Sequence, residues 1–307
     1  MRILVTGGAG FIGSNVVDAF VEKGFEVGVL DNLSTGKEKN INPKAKFYNV
    51  DLRDFSSLEK VFVDFKPEIV DHHAAQIDVR KSVKDPSFDA EVNIIGSINL
   101  FDLAVKYGVR RIIFASTGGA LYGEPKVLPA NEDTPIKPLS PYGVSKYCME
   151  NYLNYFKRLH GIERVILRYA NVYGPRQDPL GEAGVIAIFT GRILEGKPVT
   201  IFGDGTQTRD FIYVEDVVSA NLLALDGVEG TYNIGTGNET SVNEIVQVFE
   251  KVLRRKVEVE YAKPRPGEVY RIALDYTRAK QSLGFEPKYT LEEGIKKTIE
   301  WYTKNMK

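Results

Sequence analysis

The chain has one cysteine, Cys148, one tryptophan and three histidines in 307 residues. A single thiol excludes an intramolecular disulfide framework and fits the reducing cytoplasm. Three histidines and one cysteine leave little from which to build a metal centre, and none is expected. Charge of one sign is missing too: 40 Lys+Arg against 41 Asp+Glu give a net charge of −1. Nothing global therefore recruits nucleic acid or an anionic membrane. No apolar run approaches a bilayer span, and no repeat or low-complexity tract is present. The N-terminal residues read as part of a nucleotide site rather than as a cleaved leader. What remains is a chain long enough for a large core and for two domains sharing one interface.

That nucleotide site begins at the sixth residue, with Thr6-Gly7-Gly8-Ala9-Gly10-Phe11-Ile12-Gly13. A short apolar strand precedes the run, and an amphipathic helix ending near Gly24 follows it. Strand, glycine turn and helix N-terminus together form an anion site, because free backbone N–H groups and the helix dipole converge on one point. Gly7 permits the tight turn, Gly10 lets a pyrophosphate approach the backbone, and Gly13 lets the helix sit close on the strand. The second strand, Glu26–Leu30, leads into Asp31. A carboxylate there accepts both ribose hydroxyls of an unphosphorylated adenosine and repels a 2′-phosphate, which predicts NAD rather than NADP. A glycine turn that merely packs is the other reading, and strand, helix and acid in one register argue against it.

Further strands are predicted at Lys46–Val50, Glu68–His72, Arg111–Ala115 and Arg164–Arg168, with helical patterns between them that include Asn93–Tyr107 and Ser145–His160. This alternation predicts an α/β, Rossmann-type doubly wound parallel sheet with helices on both faces. After about Tyr173 the rhythm breaks into Gly- and Pro-rich loops, short strands and helices at Val185–Glu195, Val214–Leu225, Val242–Leu253 and Leu291–Thr303. The expected organisation is a nucleotide-binding domain over residues 1–172 and a smaller α/β C-terminal substrate domain over 173–307. Some C-terminal segments are expected to pack back on the first domain.

Tyr142 and Lys146 form a Tyr-x-x-x-Lys pair at the start of a helix, and i, i+4 spacing puts both on one face. A phenolate base at neutral pH needs a pKa about 3 units below the free value, and an adjacent ammonium and a helix N-terminus both act that way. A buried tyrosine stem with a snorkelling lysine is the alternative. The strand Arg111–Ala115 ends in Ser116-Thr117, at the carboxyl edge where open α/β sheets bind ligands. A hydroxyl there can hold a substrate alcohol against the tyrosine. His72 and His73 point to opposite sides of a strand and read as packing residues.

With these residues in place, the chain resembles the extended short-chain dehydrogenase/reductase family over essentially its whole length, and within it the UDP-glucose 4-epimerase branch. The resemblance rests on Thr6-Gly-Gly-Ala-Gly-Phe-Ile-Gly13, Tyr142 with Lys146, Asp31-Asn-Leu-Ser-Thr-Gly36 and Leu167-Arg-Tyr-Ala-Asn-Val-Tyr-Gly-Pro-Arg176. It also rests on Phe202-Gly-Asp-Gly-Thr-Gln-Thr-Arg209 and Pro264-Arg-Pro-Gly-Glu268. It implies reversible inversion at C4 of UDP-glucose and UDP-galactose, through hydride transfer to tightly bound NAD and a 4-keto sugar. Tyr142, Lys146 and Thr117 would be catalytic. Gly7, Gly10, Phe11, Ile12, Gly13, Asp31, Asn32, Asp51, Leu52, Ala74, Ala75, Gln76, Asn93, Ser116 and Tyr169 would line the cofactor, with Tyr142 and Lys146. Thr117, Tyr142, Asn171, Arg209, Arg265 and Glu268 would hold the UDP-sugar.

The family's hydroxyl segment is often Ser-Ser-x-x-Val-Tyr-Gly, whereas Ser116-Thr-Gly-Gly-Ala-Leu-Tyr-Gly123 is one residue longer. Counted from the strand, the catalytic hydroxyl is Thr117, with Ser116 in reserve. Related dehydratases and decarboxylases carry acids in that segment, and Gly118 and Gly119 supply none. The resemblance further implies a residue gating C2 substituents near Ile272. It also implies a homodimer seam on Asn93–Tyr107 and Ser145–His160, through an outward stripe of Leu100, Leu103, Met149, Leu153 and Phe156. An epimerase for N-acetylated or uronic UDP-sugars, and a non-catalytic NAD sensor, are the other readings.

Overall fold

The computed structural model describes residues 1–180, 184–264 and 269–305. Among them a seven-stranded sheet runs in the order Gly230–Ile234, Glu163–Tyr169, Arg111–Thr117, Ile69–His72, Arg2–Thr6, Glu26–Leu30, Lys46–Tyr48. Every neighbouring pair is parallel. The chain reverses its direction of travel across the sheet between Arg2–Thr6 and Ile69–His72, the crevice where such sheets bind nucleotides.

Alternation along each strand decides which face is which. Ile3, Val5, Val27, Val29, Ile69, Ile113, Val165 and Leu167 share one core with Val16, Val17 and Phe20 of the helix Phe11–Glu22 and with Val217, Ala220 and Ala224 of Val214–Ala224. Leu4, Leu30, Val70, Ile112, Phe114 and Ile166 face the other side, against the helices Phe55–Phe65, Gly96–Lys106 and Pro141–His160. Each such side chain contributes about 1.5–3 kcal/mol on burial, so a slip of one residue in register would expose a whole row.

Leu100, Leu103, Met149, Leu153 and Phe156 all belong to this second core and are buried. They pack on the sheet and form no outward stripe, which corrects the expectation from sequence. The outward face of Pro141–His160 carries Tyr152, Tyr155 and Leu159 instead, with Ile95 exposed on the neighbouring segment. Both stripes repeat at helical spacing and lie about 100° apart around the helix, so periodicity alone does not say which one meets the sheet. The anticipated Asn93–Tyr107 helix is also divided: one π-helical turn, Glu91–Ile95, feeds Gly96–Lys106.

The strand Gly230–Ile234 returns to the sheet edge and has no counterpart in the sequence reading; its glycine and Asn233 mask the strand pattern. Beyond Tyr169, Asn171–Tyr173 pairs with Phe211–Tyr213, and Val199–Phe202 with Val259–Ala262. Tyr173, Phe189, Ile201, Phe249 and Ile295 close a third core between these strands and the helices Val185–Leu194, Val242–Leu253 and Leu291–Asn305. This region grows from the carboxyl end of the main sheet. Among the described residues, no helix is long and apolar enough to cross a membrane.

Candidate active site

Gly7 turns the chain with φ +68°, and a Cβ there would meet the Ala74 nitrogen at 2.7 Å. At Gly13 a Cβ would lie 2.3 Å from the Gly7 carbonyl oxygen, so the helix touches its own entry turn. At Gly10 it would meet, among the described residues, the Gly7 oxygen at 3.1 Å alone. The outer side of Gly10 is thus open above the helix N-terminus. Gly10 caps Phe11–Glu22 without a side-chain bond, and the first turn is uncharged. Its leading N–H groups, at Phe11, Ile12 and Gly13, have no intrahelical acceptor. A pyrophosphate fits both the space and the donors.

Asp31 is buried beside this turn. One carboxylate oxygen accepts from Ala9 N–H at 3.1 Å and the other from Leu33 N–H at 2.8 Å. Burial pushes its pKa up and the two backbone donors oppose that. Each oxygen keeps capacity for a ribose hydroxyl. Asn32 donates to Asp51 at 2.8 Å. The Arg53 guanidinium at 2.9 Å holds the Asp51 carboxyl well below the usual range. Buried Leu52 follows. The residues present fit an unphosphorylated dinucleotide.

The segment Ala74–Gln76 follows the neighbouring strand. Ala74 N–H donates to the Thr6 hydroxyl at 3.2 Å, and that hydroxyl contacts His72 Nδ1 at 2.7 Å. Ser97 holds His72 Nε2 at 2.8 Å. His73 turns to the other face and stacks on Tyr169, with ring centroids 6.2 Å apart. The two histidines diverge as strand geometry requires. Asn93 accepts from Gln76 N–H at 2.8 Å and donates to Gln76 O at 2.9 Å. Its amide thus braces the segment. Tyr169 is buried, with its hydroxyl on Asn221 at 3.0 Å.

Ser140 caps the Pro141–His160 helix and Pro141 opens it, which puts Tyr142 in the first turn and Lys146 one turn on. A Cβ at Gly143 would meet the Ala120 oxygen at 2.7 Å, so this turn lies against the short helix Gly118–Leu121. Lys146 is buried and donates to the Ala115 carbonyl at 2.8 Å. Burial pushes its pKa down to about 8, against the pull of Asp89 and Glu150. Tyr142 is half-buried. Burial, then Asp89, push its phenol upward. The lowering anticipated from the Lys146 ammonium is therefore absent from the polypeptide by itself: burial and Asp89 set the direction, and one ammonium donor is held by a carbonyl.

Thr117 ends its strand, half-exposed, and its oxygen accepts from Ala120 N–H at 3.2 Å. Among the described residues its hydroxyl proton meets no acceptor and stays available for donation. Ser116 points to the opposite face, where its buried hydroxyl donates to Glu150 at 2.6 Å. Glu150 in turn pairs with Arg168 at 2.6 Å. Ser116 belongs to this core network and is no reserve for the catalytic hydroxyl.

A Cβ at Gly119 would lie 3.3 Å from Asn171 Oδ1 and 3.9 Å from the Thr117 oxygen. Position 119 thus joins the Thr117 hydroxyl to the Asn171 amide, and any side chain there would intrude between them. Asn171 N–H donates to Asp210 O at 2.9 Å, which ties it to the segment carrying Arg209. Arg209 Nη1 donates to Thr208 O and Tyr270 O at 2.8 and 3.3 Å. Arg265 and Glu268 lie outside the described residues. Ile272, the residue expected to gate C2 substituents, is only 1 % exposed and packs in the first core.

Sequence reading missed Asp89. It is fully buried and accepts from Gln76, Asn93 and Ser145. Its signal was i, i+4 spacing to Asn93, which puts both on one helical face.

Residues 3–235 match the NAD dependent epimerase/dehydratase family. A putative UDP-glucose 4-epimerase of Methanocaldococcus jannaschii is 54% identical over 304 residues, covering 99% of each chain. The crystal structure of a Thermotoga maritima UDP-glucose 4-epimerase with UDP-glucose is similar at TM-score 0.98 and 52% identity, covering 100% of both chains. A Thermus thermophilus UDP-glucose 4-epimerase in complex with NAD gives TM-score 0.95 and 46% identity, over 99% of this chain and all of that one. Glycine cradle, Tyr-x-x-x-Lys helix and full-length similarity agree: the chain belongs to the NAD dependent epimerase/dehydratase family.

Proposed function

We propose that this chain is a UDP-glucose 4-epimerase, an isomerase that interconverts UDP-glucose and UDP-galactose by inversion at C4. The observation that carries the reading is the junction at Gly119. Thr117 and Asn171 meet there beside the Tyr142 turn, at the carboxyl end of the sheet that also carries the glycine cradle, and among the described residues no acidic side chain comes within 4 Å of that point. Dehydration needs an additional acid and base at that point; redox-neutral inversion does not.

When bound, NAD would supply a hydride acceptor for C4 and, once reduced, the same hydride back to the opposite face, and its oxidised ring would offset the upward pull on the Tyr142 phenol. Tyr142 takes the C4 hydroxyl proton. Thr117 keeps that hydroxyl in line by donating its own free proton. Lys146 fixes the height of the tyrosine turn through Ala115 and can reach a ribose hydroxyl with its remaining donors. Asn171, Arg209, Arg265 and Glu268 hold the UDP while the 4-keto sugar presents its opposite face. Tyr142 then returns the proton.

The apolar face of Tyr152, Tyr155, Leu159 and Ile95 supports a homodimer, and the lone cysteine supports a cytoplasmic setting. The test is direct: purified protein incubated with UDP-galactose yields UDP-glucose by chromatography, and its absence refutes the reading. The same assay with UDP-N-acetylglucosamine measures tolerance at C2.

A further inference from the structure

We propose that Asp89 is a positioning residue that tunes the Tyr142–Lys146 pair, a fixed buried charge joining the cofactor-side segment Ala74–Gln76 to the catalytic helix at Ser145. The inference rests on Tyr142 and Lys146 carrying the proton as described above.

Asp89 is 0 % exposed, on the short helix Pro86–Ala90. A carboxylate without water is tolerated only when its lone pairs are satisfied. Here Oδ1 accepts from Gln76 Nε2 and Asn93 Nδ2, each at 3.0 Å, and Oδ2 accepts from Ser145 Oγ at 2.6 Å. Three donors from three segments converge on it, and Ser145 immediately precedes Lys146. Two amides and a hydroxyl satisfy the carboxylate without carrying charge. Its field therefore extends to its neighbours through a poorly polarisable interior.

The elements packed against it bring these titratable groups, among others farther along them. Tyr142, Lys146 and Glu150 stand on the catalytic helix, Glu91 on the π-helical turn, and Arg80, Lys81 and Lys84 on Val79–Lys84. Asp78 and Asp85 cap the two short helices. Lys81 lies over the Phe88 ring at 4.3 Å and Lys146 is held by Ala115. Asp89 raises the proton affinity of both Tyr142 and Lys146. It keeps the lysine cationic against its burial and the tyrosine neutral until a cation arrives beside it. The rate then depends on a loaded site.

Two substitutions separate charge from connection. In Asp89→Asn the carbonyl can keep both amide donors and the NH2 can donate to Ser145, so the network survives without its charge. Ser145→Ala leaves the charge and removes its shortest hydrogen bond. The measurement is the acid limb of the kcat–pH profile of the NAD-loaded enzyme, where activity rises as Tyr142 ionises. Asp89→Asn should move that limb to lower pH by about one unit, and Ser145→Ala should move it to higher pH. Limbs that stay in place, or move in the same direction, overturn the proposal. Should Asp89→Asn fail to fold, the upward shift in Ser145→Ala decides alone. Tyr142→Phe, run in parallel, separates the two ideas: full activity there refutes the role of Tyr142, whereas an inactive Tyr142→Phe with unmoved limbs refutes only the role of Asp89.

Discussion

The Lys146 ammonium donates to the Ala115 carbonyl at 2.8 Å, which pins the first turns of the catalytic helix to the strand that ends in Thr117. The contact is favourable, but the burial that goes with it costs stability. Burial lowers the pKa of Lys146 from 10.5 to about 8, so the folded state binds its proton less well than the unfolded chain. The cost is fully expressed below pH 8 and is relieved as pH climbs toward 10.5. Lys146→Met should therefore abolish epimerisation yet stabilise the protein at pH 7. The gain should be on the order of 3 kcal/mol, less about 1 for the carbonyl left unpaired. Urea unfolding of both proteins at pH 7 and pH 10 checks this, since the advantage of the variant should shrink at the higher pH.

Tyr142→Phe removes one oxygen from a half-buried ring and leaves the glycine cradle untouched. Turnover of UDP-galactose should fall by about 10²–10⁴, while NAD released on denaturation stays stoichiometric. Loss of the nucleotide in this variant would instead assign the tyrosine a binding role.

Ser116 and Thr117 are adjacent, and the structure sets them opposite fates. Ser116→Ala strips Glu150 of a buried hydroxyl and should cost about 1–3 kcal/mol of stability, with kcat near the parent value. Thr117→Ala should leave the melting temperature within a few degrees and lower kcat about tenfold or more. Reversed outcomes would move the catalytic hydroxyl to Ser116.

These contrasts mark where the sequence could be read and where it could not. The glycine run, Asp31 and the Tyr142–Lys146 spacing are local: the placement of each is set by residues within a turn or a strand of itself, and that placement was legible. The choice between Ser116 and Thr117 depended on which face of the sheet each side chain meets, and an inserted residue obscured that. Asp89 showed only its i, i+4 spacing to Asn93; the donors at positions 76 and 145 are brought to it by the fold alone. The burial of Ile272 was hidden for a similar reason: a resemblance in sequence gave its position along the chain and not the core that packs around it.

Gly13→Ala tests the cradle itself. The added methyl would sit 2.3 Å from the Gly7 oxygen, inside contact distance, and against backbone that cannot rotate away. The helix must back off the turn, at a cost of about 1–3 kcal/mol, and its N–H groups leave the anion position. Protein carrying this change should purify without NAD and melt lower than the parent. Full nucleotide content would show that the close approach at Gly13 is dispensable.

The outward face of the catalytic helix sets up the last expectation. Tyr155 and Leu159 are more than half exposed, at 54% and 57%, with Tyr152 beside them on the same stripe. An apolar run of this kind on a monomer surface marks a site of association. The helix bearing Tyr142 and Lys146 would then be clamped from both sides, by the sheet through Met149 and Leu153 and by a second copy through the tyrosines. Light scattering should give twice the 34.3 kDa chain mass. Tyr155→Glu, which sets a charge in the middle of the stripe, should return the protein to one chain mass and lower kcat as the helix loosens. A single-chain mass for the parent protein would refute the dimer.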